Sequence, residues 1–184
     1  MKINSINNLN FQKKQVGKCQ IKSAQNREKK DCTISKFNPK NPDDFLELET
    51  SDQFWTIRSD FNRAQNQKHC SSDFYFIQDN NSKDFVSAVE ISKHLSDKGE
   101  KYIAIEEIEV NDDYIDSITP ILGYVSYLAE KFGAANIQTS FGIDDFALAQ
   151  NRLFAKNNGH YTISPSSYNE ILYRAQSREN LDTM

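Results

Sequence analysis

The sequence predicts an α+β domain whose centre is a mostly antiparallel sheet. Two runs rich in aromatic and β-branched residues, Phe74–Ile77 and Phe85–Ile91, flank a turn cluster, and a third run, Lys101–Val110, follows a loop turned at Gly99. Strands joined by such short connections form an antiparallel meander. A helix separates the third run from the next strand, so we expect those two strands to run parallel through a right-handed crossover.

The third strand of the meander contains a break in its alternation of apolar and polar residues. Ile105 and the isoleucine two residues before it share one parity, whereas Ile108 has the other. A strand with one buried face can change parity only if it accommodates an extra residue in a β-bulge. The slip falls on Glu106 and Glu107, and bulges are common beside functional sites. The alternative is a strand end followed by a turn, or a solvated strand edge.

The other elements are indicated by capping signals and apolar spacing. A short strand over Asp31–Phe37 precedes Asn41, which caps the first of two short helical stretches. Thr119 and Pro120 predict the start of a long helix, and Gly133 predicts its left-handed C-cap. The elements predicted after it are a strand over 137–141, a second long helix that opens at Asp144 and ends at Asn157–Gly159, and two closing strands, His160–Ile163 and Asn169–Tyr173.

Charge is distributed unevenly along the chain of 184 residues. The net charge is −4, yet residues 1–41 carry an excess of Lys and Arg and the remainder an excess of Asp and Glu. Residues 1–31 also lack hydrophobic periodicity, so we predict a disordered basic arm there, a folded domain over 32–175, and a frayed C-terminus over 176–184. Few aromatic residues are interleaved with the basic ones, so a solubilising tail is favoured over a nucleic-acid-binding arm.

Several classes of protein are disfavoured by composition. No apolar run reaches the roughly 18 residues that a membrane-spanning helix needs, and the first thirty residues lack a signal-peptide core. Cys19, Cys32 and Cys70 are widely spaced and form no C-x-x-C pair, and the three histidines show no ligand spacing. We therefore expect a cytoplasmic protein without a disulfide framework or a metal site, of undetermined oligomeric state.

The order of elements and the motif Ile105-Glu106-Glu107-Ile108-Glu109-Val110 resemble the GCN5-related N-acetyltransferase (GNAT) family. Members of that family often carry Ile/Leu-Glu-Asp/Glu-Ile/Leu-x-Val on a bulged fourth strand. Leu153-Phe154 and Gly159-His160 resemble the family's Leu-Tyr and Gly-Phe near the end of its second long helix. The resemblance spans about Cys32 to Ala175. It implies a GNAT-like sheet of about six or seven strands with one splayed parallel pair, and helices on both faces.

The resemblance also implies an acyl-CoA-dependent N-acyltransferase that moves an acetyl group from acetyl-CoA to a primary amine. Glu106 would be the general base in a direct attack, and Tyr161 would protonate the departing thiolate. The acidic body favours a cationic amine, either small or on a protein. The implied cofactor-binding residues are Ile108, Glu109 and Val110 along the pantetheine, Leu122, Gly123, Tyr124 and Val125 at the pyrophosphate, and Phe154.

Departures from the family pattern support an alternative. The family's pyrophosphate loop reads Arg/Gln-x-x-Gly-x-Gly/Ala, and Pro120–Val125 matches it only at Gly123. Val125 is branched where the family needs close backbone approach, and Phe154 stands where the family often has a tyrosine. Three aspartates in the preceding connection would also repel phosphate. These features predict weak acetyl-CoA binding, repaired by Val125→Gly with Pro120→Arg, or a catalytically inactive GNAT-fold interaction module with a basic tail.

Overall fold

One ten-stranded sheet organises the part of the chain that the computed structural model describes, residues 13–67, 71–139, 155–157 and 160–184. Side chains at 155–157, 160 and 161 are outside that description. The strands are β1 (Lys14–Ser23), β2 (Lys29–Phe37), β3 (Ser72–Asp79), β4 (Phe85–Leu95), β5 (Lys101–Val110), β6 (Tyr114–Ile115), β7 (Asn136–Thr139), β8 (Ala155–Asn157), β9 (His160–Ile163) and β10 (Asp182–Thr183). The helices are α1 (Pro42–Glu49), α2 (Trp55–Asn66), α3 (Ile118–Phe132) and α4 (Pro165–Arg178).

The strand order is β10-β1-β2-β3-β4-β5-β7-β9-β8, and β6 also pairs with β1. The predicted meander is present, because β3, β4 and β5 are consecutive antiparallel neighbours. The pair β5–β7 is parallel from Tyr102↔Asn136 to Ile105↔Thr139, and α3 makes the crossover between the two strands. The predicted parallel pair is therefore confirmed. Its splaying stays a prediction, because residues 140–154 lie outside the described residues.

The predicted β-bulge is confirmed in the register between β4 and β5. Glu107 faces Glu90, whereas Ile105 faces the next residue of β4, Ile91, so Glu106 is the extra residue. Ile105 and Ile108 have opposite parity, yet both are buried in the same core cluster. The bulge thus keeps one face of β5 apolar along the whole strand.

Helices cover both faces of the sheet, as predicted. On one face, apolar side chains of α3 and α4 join those of the central strands, among them Ile121, Val125 and Ile171. On the other face, α1 and α2 enclose an aromatic cluster that includes Phe61, and the rings of Phe37 and Phe76 lie 4.5 Å apart there. Polar residues of β4 and β5 on this second face therefore point toward the α2 side.

The N-terminal prediction is wrong from residue 14 onward. Residues 14–31, predicted to be disordered, form β1, a turn and the start of β2. Val16, Cys19 and Ile21 are the inward-facing side chains that stabilise this hairpin in the core. Their spacing is irregular because the β1–β2 register shifts between Gln15 and Gly17. Residues 1–12 of the predicted arm lie outside the described residues.

The C-terminal predictions also need correction. Asn169–Tyr173, predicted as a strand, lies within α4, which buries Tyr168, Ile171 and Ala175 at helical spacing. Residues 176–184, predicted to be frayed, complete α4 and form β10, which pairs with β1. Ala155–Asn157 forms β8 rather than the end of the second long helix, and the rest of that predicted helix lies outside the described residues.

None of the helices in the described ranges combines the length and the apolar character needed to cross a membrane.

Candidate active site

The residues predicted to bind pyrophosphate lie inside α3. The helix has Ser117 at its N-cap, so Thr119, the predicted N-cap, is the second helical residue. Leu122, Gly123 and Tyr124 belong to the second turn, where each backbone N–H bonds to the carbonyl four residues earlier. Their amides are not available to phosphate at a helix start. The predicted C-cap is confirmed, because Gly133 ends α3 with φ of 69°.

Gly123 has a packing role. A Cβ atom built on this residue would lie 2.4 Å from Cβ of Ala175 in α4 and 3.0 Å from Cδ2 of Leu181. The glycine therefore allows α4 and the segment after it to approach α3 closely. Val125, two residues later, is fully buried in the same core. Together these contacts remove the predicted phosphate loop from solvent.

The connection from β5 to α3 crosses the end of the sheet. Nδ2 of Asn111 donates to the carbonyl of Phe85 at 3.1 Å, and the hydroxyl of Tyr114 donates to Asp79 at 3.3 Å. The chain then pairs with the end of β1 through Lys22↔Ile115. The start of α3 consequently lies beside β1, four strands from β5, or about 19 Å at about 4.8 Å per strand.

A pocket of about 440 Å³ lies beside this helix start. Burial raises the pKa of its Glu179 carboxyl, and nearby Asp116 raises it further. The side chain of Ser117 makes no capping hydrogen bond to α3. Four cationic side chains and two carboxylates line the pocket, and an anion is the ligand that this excess of positive charge favours. The charged lining residues are Lys22, Arg27, Lys29, Arg178, Asp116 and Glu179.

The bulge brings Glu106 into a polar group on the α2 side of the sheet. The hydroxyl of Ser92 donates a hydrogen bond to Oε1 of Glu106. The same hydroxyl oxygen lies 2.6 Å from Nε2 of His94, and that nitrogen is 3.7 Å from Oε1 of Glu106. The imidazole stacks on the ring of Tyr102, with centroids 5.0 Å apart and planes 17° apart. The arrangement joins a half-buried carboxylate to an imidazole at the surface.

Glu90 is a second carboxyl near the bulge. Its residue is only 6% exposed, and burial raises the pKa of its carboxyl to about 7. A hydrogen bond from Ser72 opposes this shift, whereas the charges of Asp60 and Glu106 add to it. A buried carboxyl with its pKa near neutrality is typical of functional sites.

Sequence analysis did not identify Glu90, Ser92 or His94 as site residues. A signal for them was present, because Glu90 interrupts the apolar run Phe85–Ile91, and the three residues are spaced by two. Alternate residues of a strand point to the same face. Parity applied to β4 as well as β5 would have placed them opposite Glu106.

The side chain of Glu109 anchors α2 to β5. Its carboxylate accepts hydrogen bonds from the backbone N–H of Thr56 at 3.3 Å and of Ile57 at 2.8 Å. The N-cap of α2, Phe54, has φ of 56° and makes no side-chain cap bond, so Glu109 supplies the negative charge at this helix end. Ile108, which lies between Glu107 and Glu109 in the sequence, is buried in the core.

The backbone of Ile108–Val110 pairs with β4 on one edge. On its other edge, β5 pairs with β7 from Tyr102↔Asn136 to Ile105↔Thr139, where Thr139 is the last residue of β7 in the described part of the chain. This end of the parallel pairing is where the sequence predicts the thioester. Tyr161 lies in β9, with its side chain outside the described part, and Phe154 lies outside it altogether. The roles of both stay predictions.

Within the described ranges, no group of three or more His, Cys, Asp or Glu side chains is placed to hold a metal ion.

Comparison with known proteins gives structural likenesses at low sequence identity. No family model and no curated protein sequence matches the chain. Its structure is similar to AtaTR bound with AcCoA, with a TM-score of 0.52, 8% identity, and coverage of 77% of this chain and 98% of that chain. It is also similar to a bacterial toxin, with a TM-score of 0.54, 6% identity, and coverage of 77% and 95%.

An acetyltransferase of the GNAT family from Staphylococcus aureus Mu50 is similar with a TM-score of 0.48, 16% identity, and coverage of 73% of this chain and 99% of that chain. The strand order, the parallel pair and the helices on both faces are those of the GNAT fold. The fold predicted from the order of elements is therefore confirmed.

Proposed function

We propose that the protein is an acyl-CoA-dependent N-acyltransferase that transfers an acetyl group from acetyl-CoA to a primary amine. The observation that carries the proposal is the position of Glu106. It is the extra residue of the bulge, it faces the α2 side, and it follows Ile105, which pairs with Thr139, the last described residue of β7. The likeness of this protein's fold to AtaTR, whose crystal structure contains AcCoA, adds support for acetyl-CoA as the donor.

Glu106 accepts the proton of the attacking amine. As the new C–N bond forms, the C–S bond of the thioester breaks, the thiolate takes a proton from Tyr161, and water returns a proton to the tyrosine. Backbone N–H groups at Ile108–Val110 orient and polarise the thioester carbonyl, since fixed donors stabilise charge that develops on oxygen. The N–H of Ile108 donates to Oε1 of Glu107 at 3.1 Å and has to exchange that acceptor for the thioester oxygen. Acetyl-CoA, when bound, supplies the acetyl group in activated form.

The pantetheine arm and the pyrophosphate of acetyl-CoA fit different parts of this chain. The edge of β5 after the bulge suits an extended pantetheine arm. The amides of Leu122–Tyr124 do not suit the pyrophosphate, because the α3 ladder uses them. Cationic side chains that suit phosphate lie at the start of α3, with Arg27 and Lys29 among them. That pocket lies four strands from β5, on the side away from β7, so a pantetheine arm that runs along the β7-facing edge of β5 does not reach it.

The acceptor is a cationic amine, small or at the surface of a protein. Carboxylates of Glu106, Glu109 and Glu90 follow one another on the α2 side of β4 and β5, and Asp60 of α2 lies against Glu90. A field of one sign concentrates ligands of the opposite sign. The ammonium form loses one proton to water before the attack, and Glu106 accepts the second proton as the C–N bond forms.

The test uses acetyl-CoA with three amines: putrescine, tyramine and a tripeptide with a free α-amine. We expect Glu106→Gln to lower kcat by about 10²–10⁴-fold, the contribution typical of a general base, with an unchanged Kd for acetyl-CoA by calorimetry. Glu100→Gln, in the exposed loop before β5, is the matched control. Equal kcat for wild type and Glu106→Gln would contradict the assignment.

The second candidate is a catalytically inactive GNAT-fold interaction module. The burial of Leu122–Val125 in helix packing favours it. This candidate predicts that the wild-type protein neither binds acetyl-CoA by calorimetry nor acetylates any of the three amines.

A further inference from the structure

We propose that Ser92 and His94 form a path that carries the amine proton from Glu106 to solvent. This inference rests on the proposed function, because it needs Glu106 to accept a proton. It assigns roles to two residues of β4 that the general-base mechanism alone leaves without one.

The path follows two contacts. The hydroxyl of Ser92, itself 4% exposed, contacts both Oε1 of Glu106 and Nε2 of His94. The direct separation of the imidazole nitrogen from the carboxylate oxygen is 3.7 Å, too long for a hydrogen bond. The serine is therefore the bridge between the two groups. The His94 side chain is 40% exposed, whereas that of Glu106 is 29% exposed.

Each step moves one proton along the path. After Glu106 has taken the amine proton, its O–H donates that proton to Oγ of Ser92. The serine hydroxyl passes its own proton to Nε2 of His94, which must be the acceptor tautomer at that moment. The imidazolium releases a proton to water from Nδ1. Uptake of a proton from water at Nδ1 and loss of the Nε2 proton to water then restore the acceptor tautomer, and rotation of the serine hydroxyl resets the path. Only O–H and N–H bonds form and break, and no other reactant is consumed.

The groups around Glu106 favour release of its proton toward His94 over its retention on the inner carboxyls. Glu90 and Asp60 lie on the inner side of Glu106, and their carboxyls cannot pass the proton outward because Glu90 is buried. Tyr102 packs flat on the imidazole and holds its plane. The titratable groups that the described residues place around the path are Asp60, Glu90, Tyr102, Glu106 and Glu107. Of the two ends of the path, the His94 side chain is the more exposed, at 40% against 29% for Glu106. Imidazole is the side chain suited to exchange protons near neutral pH.

The alternative is that His94 only packs against Tyr102. A structural role would lower the melting temperature on substitution and would leave the shape of the pH profile unchanged. A proton-release role would change the pH profile and would be restored by a base from solution.

The experiment measures kcat against pH for His94→Gln, with the amine that gives the highest kcat/KM of the three. We expect kcat to fall about tenfold at unchanged KM for acetyl-CoA, because water replaces part of the path. Free imidazole should restore kcat in His94→Gln, and should fail to do so in His94→Gln combined with Ser92→Ala. Leu95→Gln, an exposed neighbour on the opposite side of β4, is the matched control.

The outcomes separate the two proposals. If Glu106→Gln is impaired while His94→Gln keeps wild-type kcat and pH profile, the path is wrong and the proposed function stands. If His94→Gln loses activity that imidazole does not restore, the path is also wrong. If Glu106→Gln keeps full turnover, or no amine is acetylated, both proposals fail.

Discussion

The bulge of β5 and the start of α3 were both predicted to bind acetyl-CoA, but their environments in the structure differ. Around the bulge, Glu106 points to the α2 side and contacts Ser92, so the predicted base has a polar setting. At α3, Gly123 and Val125 are buried against neighbouring segments. The comparison teaches that the reacting end and the phosphate end of such a site depend on separate parts of the fold. One can be retained while the other becomes part of the core.

The largest effect is expected when the GNAT family's pyrophosphate loop is restored in α3. Val125→Gly with Pro120→Arg was predicted from sequence to strengthen acetyl-CoA binding. Both side chains are buried, so we now expect the free energy of unfolding to fall by about 4 kcal/mol, from lost core contacts and the low helix propensity of glycine. The melting temperature should then fall by on the order of 10 °C.

Calorimetry with acetyl-CoA completes that test, and we expect no gain in affinity. Glu130→Gly, at an exposed position of the same helix, controls for helix propensity and should cost only about 1 kcal/mol. Tighter binding at an unchanged melting temperature would show that the start of α3 is a phosphate loop after all.

The next largest effect is the pH dependence of the stability of the protein, which Glu90 near the bulge of β5 causes. Burial raises the pKa of Glu90 from 4.5 to about 7, so the folded protein holds this proton more tightly than the unfolded chain does. The associated stability is fully present below about pH 4.5 and is lost as the pH rises through about 7. The loss has an upper bound of about 3 kcal/mol.

Denaturant unfolding of wild type and Glu90→Gln at pH 5, 6, 7 and 8 measures this effect. We expect the variant to gain stability relative to wild type as the pH rises, because glutamine has no proton to lose. Parallel stability curves for the two proteins would show that Glu90 is ionised in the folded state across this range.

The smallest expected effect concerns the sign of one substitution in α3. At a solvated helical position, Gly123→Ala would stabilise the protein by about 1 kcal/mol. Because the new Cβ would lie 2.4 Å from Ala175, we expect overpacking to outweigh this and the protein to lose about 1 kcal/mol. Ala175→Gly added to Gly123→Ala should recover part of the loss. A stabilised single variant would mean that α3 and α4 pack more loosely than described.

Local patterns predicted most of the fold. The parity change between Ile105 and Ile108 was sufficient to place the bulge, because alternation in a strand is fixed by its two faces. Gly133 marked the end of α3 in the same local way. The parallel pairing of β5 and β7 followed from one intervening helix.

The errors came from contacts between distant parts of the chain. β1 carries few apolar residues, and a register shift at Gly17 spoils their alternation, so its pairing with β2 has little local signal. Ser164 and Pro165 lie between the two predicted closing strands, where a turn was expected, although these residues also suit the start of a helix. The burial of Gly123 depends on Ala175 and Leu181, more than fifty residues away, and no local pattern reports it.

The closure of β1 by the C-terminal segment has a consequence for folding during synthesis. Nδ2 of Asn180 donates to Oε1 of Gln20 at 2.6 Å across 160 residues of sequence, and β10 covers the strand edge beside Gly17. At about 5–20 residues per second, a ribosome leaves that edge uncovered for roughly 10–30 s. Exposed edges promote aggregation, and lysines along them oppose it. Lys14, Lys18 and Lys22 on β1 therefore protect the nascent chain until its last strand arrives.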